Sequence, residues 1–188
     1  QPRDFCETLD GGQSFRWDRL AGGEGISEGE IAYVGVFSKT VIRVKLSSDG
    51  SVWTSAPKGS QSSQKAFGEY IDSSTDYSEI RARLKATGDP VMLKALEIHP
   101  TLRILRQDPS EAIVGFICSS SKRIIQIKQC VRLLSEKLGT EIARGIYSTP
   151  NFDAIASADL QTIIDCKLGF RAKYLKNSAA KIVSSGFD

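Results

Sequence analysis

The 188-residue chain has few of the residues that most readily form metal or redox sites: it contains one histidine and four cysteines. The cysteines are Cys6, Cys118, Cys130 and Cys166. They form no C-x-x-C pair, and none has a spacing to His99 that would hold zinc. We therefore expect no metal and no cofactor, inert thiols at Cys118 and Cys166, and a helix-end or surface role for His99, which precedes a proline.

The sequence also lacks long apolar runs and a charged leader followed by an apolar segment. Its longest apolar stretches, such as residues 116–118, are far too short to cross a bilayer. With 40% hydrophobic and 25% charged residues, the chain has the composition of a globular protein with one large domain or two small ones. We expect an intracellular monomer without membrane contact, in the cytoplasm or nucleoid of a bacterium or the nucleus of a eukaryote.

Positive charge is concentrated in the second half of the chain. Residues 1–95 contain 12 Lys and Arg against 13 Asp and Glu, whereas residues 96–188 contain 13 against 9. Five basic residues occur between residues 167 and 181 without an acidic one. This segment suits contact with a polyanion such as the phosphate backbone of DNA. A solvated helix face is the simpler explanation of the same pattern.

The first half has the pattern of a curved antiparallel sheet. β-Branched and aromatic residues, partly alternating, form four segments. These segments are residues 14–17, 31–37, 40–46 and 52–54. Residues 48–50, Ser-Asp-Gly, fit a hairpin turn between the last two. A Gln-, Ser- and Lys-rich stretch at residues 57–65 leads into helical segments at residues 66–70 and 78–85.

From residue 90 onward the apolar spacing becomes that of helices. The pairs at residues 89–90 and 108–109, both Asp-Pro, fit helix starts, and Glu111 fits a capping box with the second. Further helices are expected after Ser121, after Pro150, after Asp159 and from Phe170 to Ser184. We predict an α+β protein with an antiparallel sheet domain at residues 1–90 and an all-α domain at residues 91–188.

Three blocks carry a resemblance to a known family. They are G-Q-S-F-R-W at residues 12–17, L-R-Q-D-P at 105–109 with F-I-C-S-S at 116–120, and L-G-F-R-A-K-Y at 168–174. Their order and separations resemble those of the 8-oxoguanine DNA glycosylases with DNA-(apurinic or apyrimidinic site) lyase activity, in the helix–hairpin–helix superfamily. The resemblance implies a TBP-like curved antiparallel sheet with helices, followed by a helical domain. It also implies a partner, double-stranded DNA containing a damaged purine.

Base-excision repair is the activity that the resemblance implies. An oxidised purine, 8-oxoguanine, leaves the duplex and enters a pocket, because its glycosidic bond is out of reach within the stack. A lysine amine then attacks the sugar and forms a Schiff base, which also permits strand cleavage. In the family this lysine follows a glycine-rich hairpin, and these 188 residues contain no L-P-G-x-G-x-x-A pattern. We therefore assign no catalytic residue and expect the chain to be inactive on its own.

The residues expected to recognise the base are Gly12, Gln13 and Phe116. In the family, the backbone carbonyl of the glycine that matches Gly12 accepts a hydrogen bond from N7 of 8-oxoguanine, a donor that guanine lacks. A residue without Cβ allows that close approach. A simple turn glycine is the alternative for Gly12. Phe15 and Trp17, which alternate along a predicted strand, fit the core better than base stacking.

Seven residues are expected to contact DNA. They are Ser121, Lys122, Arg123, Gln126, Phe170, Arg171 and Lys173. Phe170 matches an aromatic wedge that unstacks a base step, and Arg171 matches a guanidinium that meets the orphaned partner base. Packing at a helix start for Phe170 and phosphate contact for Arg171 are the simpler roles.

Three of these positions depart from the family pattern. Many members have Asn-Asn where this chain has Ser121 and Lys122, and several have arginine where it has Gln126. A serine hydroxyl supplies one donor, whereas an amide supplies two donors and an acceptor. We hypothesise that discrimination of the base opposite the lesion is weaker or differently built in this protein.

Two other functions fit the same residues. One is an alkylated-base glycosylase of the 3-methyladenine type, which uses no lysine nucleophile; a lysine in the downstream hairpin would argue against it. The other is a non-catalytic DNA-binding module. Borohydride trapping on lesion DNA would yield no adduct with such a module, while its binding would still weaken with salt.

Overall fold

The computed structural model describes residues 1–21, 25–56 and 64–186. The strands are β1 (Trp17–Arg19), β2 (Ile31–Phe37), β3 (Thr40–Leu46), β4 (Val52–Ser55), β5 (Glu141–Ala143) and β6 (Ile146–Tyr147). The helices are α1 (Pro2–Asp10), α2 (Gln64–Tyr70), α3 (Tyr77–Ala86), α4 (Pro90–Ile98), α5 (Pro109–Ser119), α6 (Ile124–Leu138), α7 (Phe152–Ser157), α8 (Leu160–Ile163) and α9 (Arg171–Ser185). A π-helical turn, Ile164–Leu168, follows α8. The predicted α+β class is confirmed.

Strands β1 to β4 form one antiparallel sheet in sequence order. The predicted hairpin turn is present: the Gly50 amide donates to the Ser47 carbonyl at 2.9 Å, and β3 pairs with β4 from Leu46 opposite Val52. The first strand was predicted to begin at residue 14 but begins at Trp17. Residues 12–16 instead form a loop over the helical half. Most of the polar stretch at residues 57–65 lies outside the described residues.

Trp17 lies at the centre of the sheet core, as the sequence predicted. Its indole is fully buried, stacks near Phe37 and donates to the Tyr70 hydroxyl at 3.1 Å. Opposite it stands Gly35, where an added Cβ would lie 2.2 Å from the indole ring. A side chain at residue 35 is therefore incompatible with this packing. The sheet core extends along the chain as far as Leu105.

The helical core is built by α5, α6, α7, α8 and α9 around the buried Val114, Leu134 and Leu175. Cys118 and Cys166 are fully buried in it, and burial raises the pKa of the Cys118 thiol to about 12. Burial also raises the pKa of the Cys166 thiol, so both thiols are shielded and protonated at neutral pH, in keeping with the expectation of inert thiols. The predicted boundary near residue 90 stays a prediction. Helix α1 and the β5–β6 hairpin were not predicted.

Two predicted helix starts are confirmed by their caps. The Asp89 carboxylate accepts from the Val91 amide at 2.8 Å, and Asp108 accepts from the Ser110 amide at 2.8 Å. The predicted capping box at Asp108 is wrong, because the Glu111 carboxylate points away from its own helix and accepts from the Ser38 amide beside the sheet. Helix α6 starts at residue 124 rather than near residue 121.

Candidate functional site

A small cavity of about 180 Å³ lies between the loop after α1 and one face of α5, from Glu111 to Ser119. Its lining includes Gly12, Gln13, Phe15, Glu111, Phe116 and Thr149. The space is several times the roughly 30 Å³ that one water molecule occupies in the liquid. All three residues that the sequence nominated for base recognition therefore meet at one cavity, although they come from two motifs far apart in the chain.

Gly12 adopts a backbone conformation that favours glycine. Its φ is +103°, and the nearest atom to an added Cβ would be Ile124 Cδ1 at 3.9 Å. Space alone would therefore admit a methyl group, whereas the backbone angle disfavours one. A backbone without a side chain is thus exposed at the cavity wall.

Both the nitrogen and the oxygen of the Gln13 side-chain amide form hydrogen bonds to the backbone. Nε2 donates to the Arg103 carbonyl at 2.9 Å, and Oε1 accepts from the Leu105 amide at 3.1 Å. In addition, Gln107 Nε2 donates to the Gln13 carbonyl at 2.6 Å. These bonds tie the Gly12 loop to the segment before α5. Gln13 thus supplies a clamp for the loop, through one bond from its amide nitrogen and one to its amide oxygen.

Lys128 ties α6 to the same loop. Its Nζ lies 2.6 Å from Asp10 Oδ1, at the end of α1, and donates to the Trp17 carbonyl. The ammonium is mostly shielded, with 18% of the side chain exposed. The attraction between two charges that are shielded from water in this way is stronger than that of an exposed ion pair at the surface. Sequence reasoning gave Lys128 no role, because its partners are distant in the chain.

Glu111 is the ionisable group in the cavity lining that departs most from ordinary behaviour. Its Oε1 accepts from the Ser38 amide at 2.9 Å. Burial raises the pKa of this carboxyl to about 7, the charge of Asp108 adds to the effect, and Arg16 opposes it. The Thr149 hydroxyl donates toward the Glu111 carboxyl and, like the Ser38 amide, lowers its pKa against the effect of burial. Sequence reasoning noticed Glu111 only as a helix cap, although its position two residues after the Q-D-P motif was a usable signal.

Phe116 marks the mouth of the small cavity. It lies on α5 and is 79% exposed, which is unusual for an aromatic residue beside a cavity. Its ring is therefore free to stack against a flat ligand that enters.

Residues 120–123 and 170–174 form a second feature, here called the wedge surface. Ser121 has a φ of +54°, which asparagine tolerates better than serine. Lys122 Nζ donates to the Lys167 carbonyl at 2.9 Å, so this predicted DNA contact holds two loops together. Beside the surface, the amide of Arg123 donates to Gln126 Oε1 at 3.0 Å, so the Gln126 side chain closes the start of α6.

Phe170 and Arg171 differ sharply in exposure. Phe170 is 64% exposed and packs edge-on against Tyr174, which is 60% exposed. Arg171 is only 7% exposed: its guanidinium lies 4.3 Å from the Phe170 ring centroid and donates to the Ser120 carbonyl. The Phe170 ring thus projects into solvent, and the Arg171 guanidinium is held against the Ser120 loop. The wedge role of Phe170 and the base contact of Arg171 stay predictions.

Not all the basic residues between 167 and 181 face solvent. Lys173 is exposed, in keeping with a phosphate contact. Lys176, in contrast, donates to the Ala156 carbonyl at 2.7 Å and to the Ala158 carbonyl, at the end of α7. A cation there satisfies terminal carbonyls of a helix. The interpretation of the whole segment as phosphate-binding was therefore too broad.

A larger groove of about 690 Å³ runs between β2, α6 and β6. Arg16, Arg132 and Glu136 line it. Arg16 donates across it to Ser135 Oγ and to the Tyr147 carbonyl, which joins the sheet to the helical half. This arrangement is a structural bridge.

Two kinds of feature are not found in the part of the chain that the structure describes. No helix there is long and apolar enough to span a bilayer. Within residues 1–21, 25–56 and 64–186, no three His, Cys, Asp or Glu residues are grouped to hold a metal ion. His99, at the end of α4, instead places its Nδ1 2.8 Å from Asp4 Oδ1.

Comparison with known proteins identifies the family. The sequence profile of the 8-oxoguanine DNA glycosylase N-terminal domain matches residues 2–113. The chain belongs to this family. Among curated proteins, it is 24% identical over 177 residues to the N-glycosylase/DNA lyase OGG1 of Arabidopsis thaliana, and the match covers 89% of this chain and 45% of that protein.

Solved structures agree with this assignment. The apo form of the Clostridium acetobutylicum 8-oxoguanine glycosylase/lyase is 31% identical, with a TM-score of 0.79 over 98% of this chain and 61% of that one. The complex of that enzyme with double-stranded DNA containing cytosine opposite 8-oxoguanine matches equally well, at 30% identity and a TM-score of 0.79, covering 98% and 60% of the two chains. The 3-methyladenine DNA glycosylase of Archaeoglobus fulgidus matches at 13% identity and a TM-score of 0.51, covering 82% and 56%, and shows a shared fold alone.

The chain is shorter than these relatives. It spans less than half of the Arabidopsis protein and about three fifths of the Clostridium enzyme. Sequence and fold thus place it in the family over the part that contains the small cavity and the wedge surface.

Proposed function

We propose that this chain is the lesion-recognising part of a DNA glycosylase with associated lyase activity that removes 8-oxoguanine from duplex DNA. The observation that carries the proposal is the small cavity, where Gly12 and Phe116 come together from separate family motifs. The family match and the likeness to an 8-oxoguanine glycosylase/lyase over nearly the whole chain support it. The protein would act where the genomic DNA of its cell lies.

The flipped base occupies the small cavity in this proposal. Extrusion is required because the glycosidic bond is out of reach within the stack. The Gly12 carbonyl accepts from N7 of 8-oxoguanine, and Gln13 holds the loop in place through its bonds to residues 103 and 105. Phe116, exposed at the mouth, provides a ring on which the base stacks.

The wedge surface meets the strand that the base has left. The exposed Phe170 enters the stack, Arg171 releases the Ser120 carbonyl to reach the orphaned base, and Lys173 contacts phosphate. Ser121, Lys122, Arg123 and Gln126 lie on or beside the same surface. We propose that they discriminate the opposite base weakly, since Lys122 and Gln126 are already bound within the protein. A strong preference for cytosine over adenine opposite the lesion would contradict this.

The lyase step requires a lysine amine at the sugar. Among the described residues, no lysine lines the small cavity, and Lys128 is bound to Asp10 and to a backbone carbonyl. We therefore propose that the 188-residue chain recognises the lesion without forming the Schiff base. Borohydride treatment with 8-oxoguanine duplex should yield no covalent adduct. A trapped adduct would show that a lysine of this chain reaches the sugar.

Duplex binding tests the proposal as a whole. Fluorescence anisotropy with 8-oxoguanine or guanine opposite cytosine should show preference for the lesion of roughly tenfold or more, about 1.4 kcal/mol, from one added hydrogen bond and its packing. Affinity for both duplexes should fall as salt rises. Equal affinity for the two duplexes would overturn the proposed function.

Phe170→Ala tests the wedge. Loss of the ring should weaken binding to 8-oxoguanine duplex by about tenfold, within the range for a stacked base, and leave guanine duplex nearly unchanged. Trp53→Ala is the control, because Trp53 is equally exposed, at 63%, but lies on the sheet edge. Equal loss for both duplexes in the Phe170 variant would mean that Phe170 is an ordinary DNA contact.

A further inference from the structure

We propose that Lys128 is a positioning residue for lesion recognition: from α6 it holds both ends of the loop that presents the Gly12 carbonyl to the flipped base. The inference rests on the proposed function, because it takes that carbonyl to accept from the damaged base. Lys128 lies outside the motifs that carry the family resemblance. Its side chain lines the larger groove rather than the small cavity, so it acts on the base only through the loop.

The loop that carries Gly12 runs from the end of α1 to the start of β1, and Lys128 contacts both ends. Its Nζ lies 2.6 Å from Oδ1 of Asp10, the last residue of α1, and donates to the carbonyl of Trp17, the first residue of β1. A second carboxylate oxygen, Asp18 Oδ1, lies 3.8 Å away. An ammonium has three donors, so one side chain can hold both ends of the loop at once.

Helix α6 is a firm anchor for these contacts. Ile127 and Val131, within one turn of Lys128, are buried in the helical core. The same helix also approaches Gly12 directly, since Ile124 Cδ1 lies 3.9 Å from the place that a Cβ of residue 12 would occupy. Close packing of core side chains resists displacement. A loop tied to α6 is therefore tied to the helical half of the protein.

The contacts of Lys128 differ in strength. The side chains of Lys128 and Asp10 are 18% and 30% exposed, whereas that of Asp18 is 74% exposed. Attraction between charges rises as water is excluded from around them, so the Asp10 contact contributes more than the exposed one. The Trp17 carbonyl adds a charge-assisted hydrogen bond, which is stronger than one between neutral groups. Asp10 and the Trp17 carbonyl are therefore the two contacts that fix the loop.

Gln13 and Lys128 fix the loop from different sides. Gln13 binds residues 103 and 105, in the segment before α5, whereas Lys128 binds the two ends of the loop from α6. Without the ammonium, the loop stays attached through Gln13, but its ends are free to shift. A hydrogen bond weakens steeply when donor, hydrogen and acceptor lose their alignment. A small shift of the Gly12 carbonyl should therefore lower the affinity for the N7 donor.

Lys128→Met tests the proposal, because methionine keeps an unbranched apolar side chain and removes the ammonium. Fluorescence anisotropy with 8-oxoguanine or guanine opposite cytosine gives the ratio of the two affinities. The roughly tenfold preference expected of wild type should fall to about threefold or less, in keeping with one hydrogen bond that loses its alignment. Both duplexes meet the same protein sample, so an unfolded fraction lowers both affinities equally and leaves their ratio unchanged.

Three further variants distinguish positioning from other effects. Lys137→Met is the matched control: it removes an ammonium further along α6, 3.4 Å from Asp165, and should keep the wild-type ratio. Lys128→Arg keeps the charge and the donors, and should restore the ratio to within about twofold of wild type. Asp10→Asn removes the charge of the partner and should lower the ratio about twofold. Asp10→Asn carries the test if Lys128→Met does not fold.

Each outcome discriminates. A Lys128→Met protein that keeps the wild-type ratio, or a Lys137→Met protein that loses it as well, overturns the inference and leaves the proposed function standing. A Lys128→Arg protein no more selective than Lys128→Met does the same, as does an unchanged ratio in Asp10→Asn. A wild type that binds 8-oxoguanine and guanine duplexes equally overturns the proposed function, and the inference falls with it.

Discussion

The small cavity and the wedge surface differ in how their residues are held. At the cavity, Gln13 and Gln107 bind partners about ninety residues away, and every one of these bonds fixes backbone position. At the wedge surface, Phe170 projects into solvent, Ser121 occupies a left-handed conformation, and Arg171 rests on a carbonyl. The first region is held by hydrogen bonds between segments distant in the chain, whereas the second combines an exposed ring with a left-handed backbone residue.

Under the proposed function, this difference suits the two regions to different steps. In the proposed function, 8-oxoguanine is distinguished from guanine by its N7 proton, so the accepting carbonyl must be placed to within about 0.5 Å. Opening a duplex needs side chains that move and a surface that tolerates strain. We infer that changes to the frame of the cavity cost stability and selectivity together, whereas changes to the wedge surface alter DNA binding at little cost in stability.

Gln13→Ala should have the largest effect on stability, because it removes the bonds that hold the Gly12 loop at the cavity. It removes the partner of the Leu105 amide and the Arg103 carbonyl, and each partly buried backbone group left unpaired costs about 1–3 kcal/mol. We expect the free energy of unfolding in urea to fall by about 3 kcal/mol and the preference for 8-oxoguanine to fall with it. Gln64→Ala, at an exposed position on α2, is the control. A loss below about 1 kcal/mol would contradict the clamp.

Glu111→Gln should change how stability depends on pH. The pKa of Glu111 is about 7 in the folded protein, above its ordinary 4.5, so the folded state holds the proton more tightly. The stability that this carboxyl contributes is therefore fully present below pH 4.5 and is lost as the pH rises through 7. Between pH 5 and 8 we expect wild type to lose about 2 kcal/mol relative to the variant. Parallel urea-stability curves for the two proteins would show that the carboxyl is not perturbed.

Comparing Gly12→Ala with Gly145→Ala distinguishes the cost of backbone strain from an effect on base recognition. Both glycines have positive φ, +103° and +72°, and neither has an atom closer than 3.9 Å to an added Cβ. Each substitution should cost about 1–2 kcal/mol of unfolding free energy, measured in urea. Only Gly12→Ala should reduce the preference for 8-oxoguanine duplex, because Gly145 lies in the turn between β5 and β6. If both variants kept that preference, Gly12 would be a simple turn glycine.

Ser121→Asn should sharpen the wedge surface with the smallest effect. Ser121 has a φ of +54°, and asparagine adopts this conformation more readily, so stability should rise by up to about 0.5 kcal/mol. The added amide should also raise the preference for cytosine over adenine opposite the lesion, measured by anisotropy. Ser38→Asn, at a φ of +51°, should give the same stability gain without a change in base preference. Unchanged preference in both variants would remove Ser121 from opposite-base recognition.

The sequence predicted well the features that depend on residues close together in the chain, such as strand alternation and helix caps. Strands β2 and β3 have the predicted bounds, and Asp89 and Asp108 cap the helices predicted to follow them. The beginning of β1 could not be foreseen, because residues 14–16 have strand-like composition while Arg16 is drawn to partners on α6 and β6. Helix α6 starts later than its pattern suggested because Ser121 turns left-handed before it.

The candidate site divides in the same way. Motif resemblance pointed to Gly12, Gln13 and Phe116, and the cavity contains all three. It gave no sign that both the nitrogen and the oxygen of the Gln13 side-chain amide already bind backbone groups. Glu111 was visible as a residue near a helix start, yet its bond to Ser38 crosses from the helical half to the sheet. Such a bond depends on how two distant segments pack, which spacing along the chain does not encode.

By itself the sequence determined the α+β class, most elements, the burial of Cys118 and Cys166 and the motifs that led to the family, since these follow from periodicity, capping chemistry and residue order. Only the tertiary structure decided that Arg171 is buried, that Lys176 caps a helix, and that Glu111 and Thr149 share the cavity with Gly12. The physical reason is the distance along the chain over which each effect acts. A residue's propensity acts on its neighbours in the chain, whereas charge, burial and hydrogen-bond partners are set by whatever the fold brings beside it.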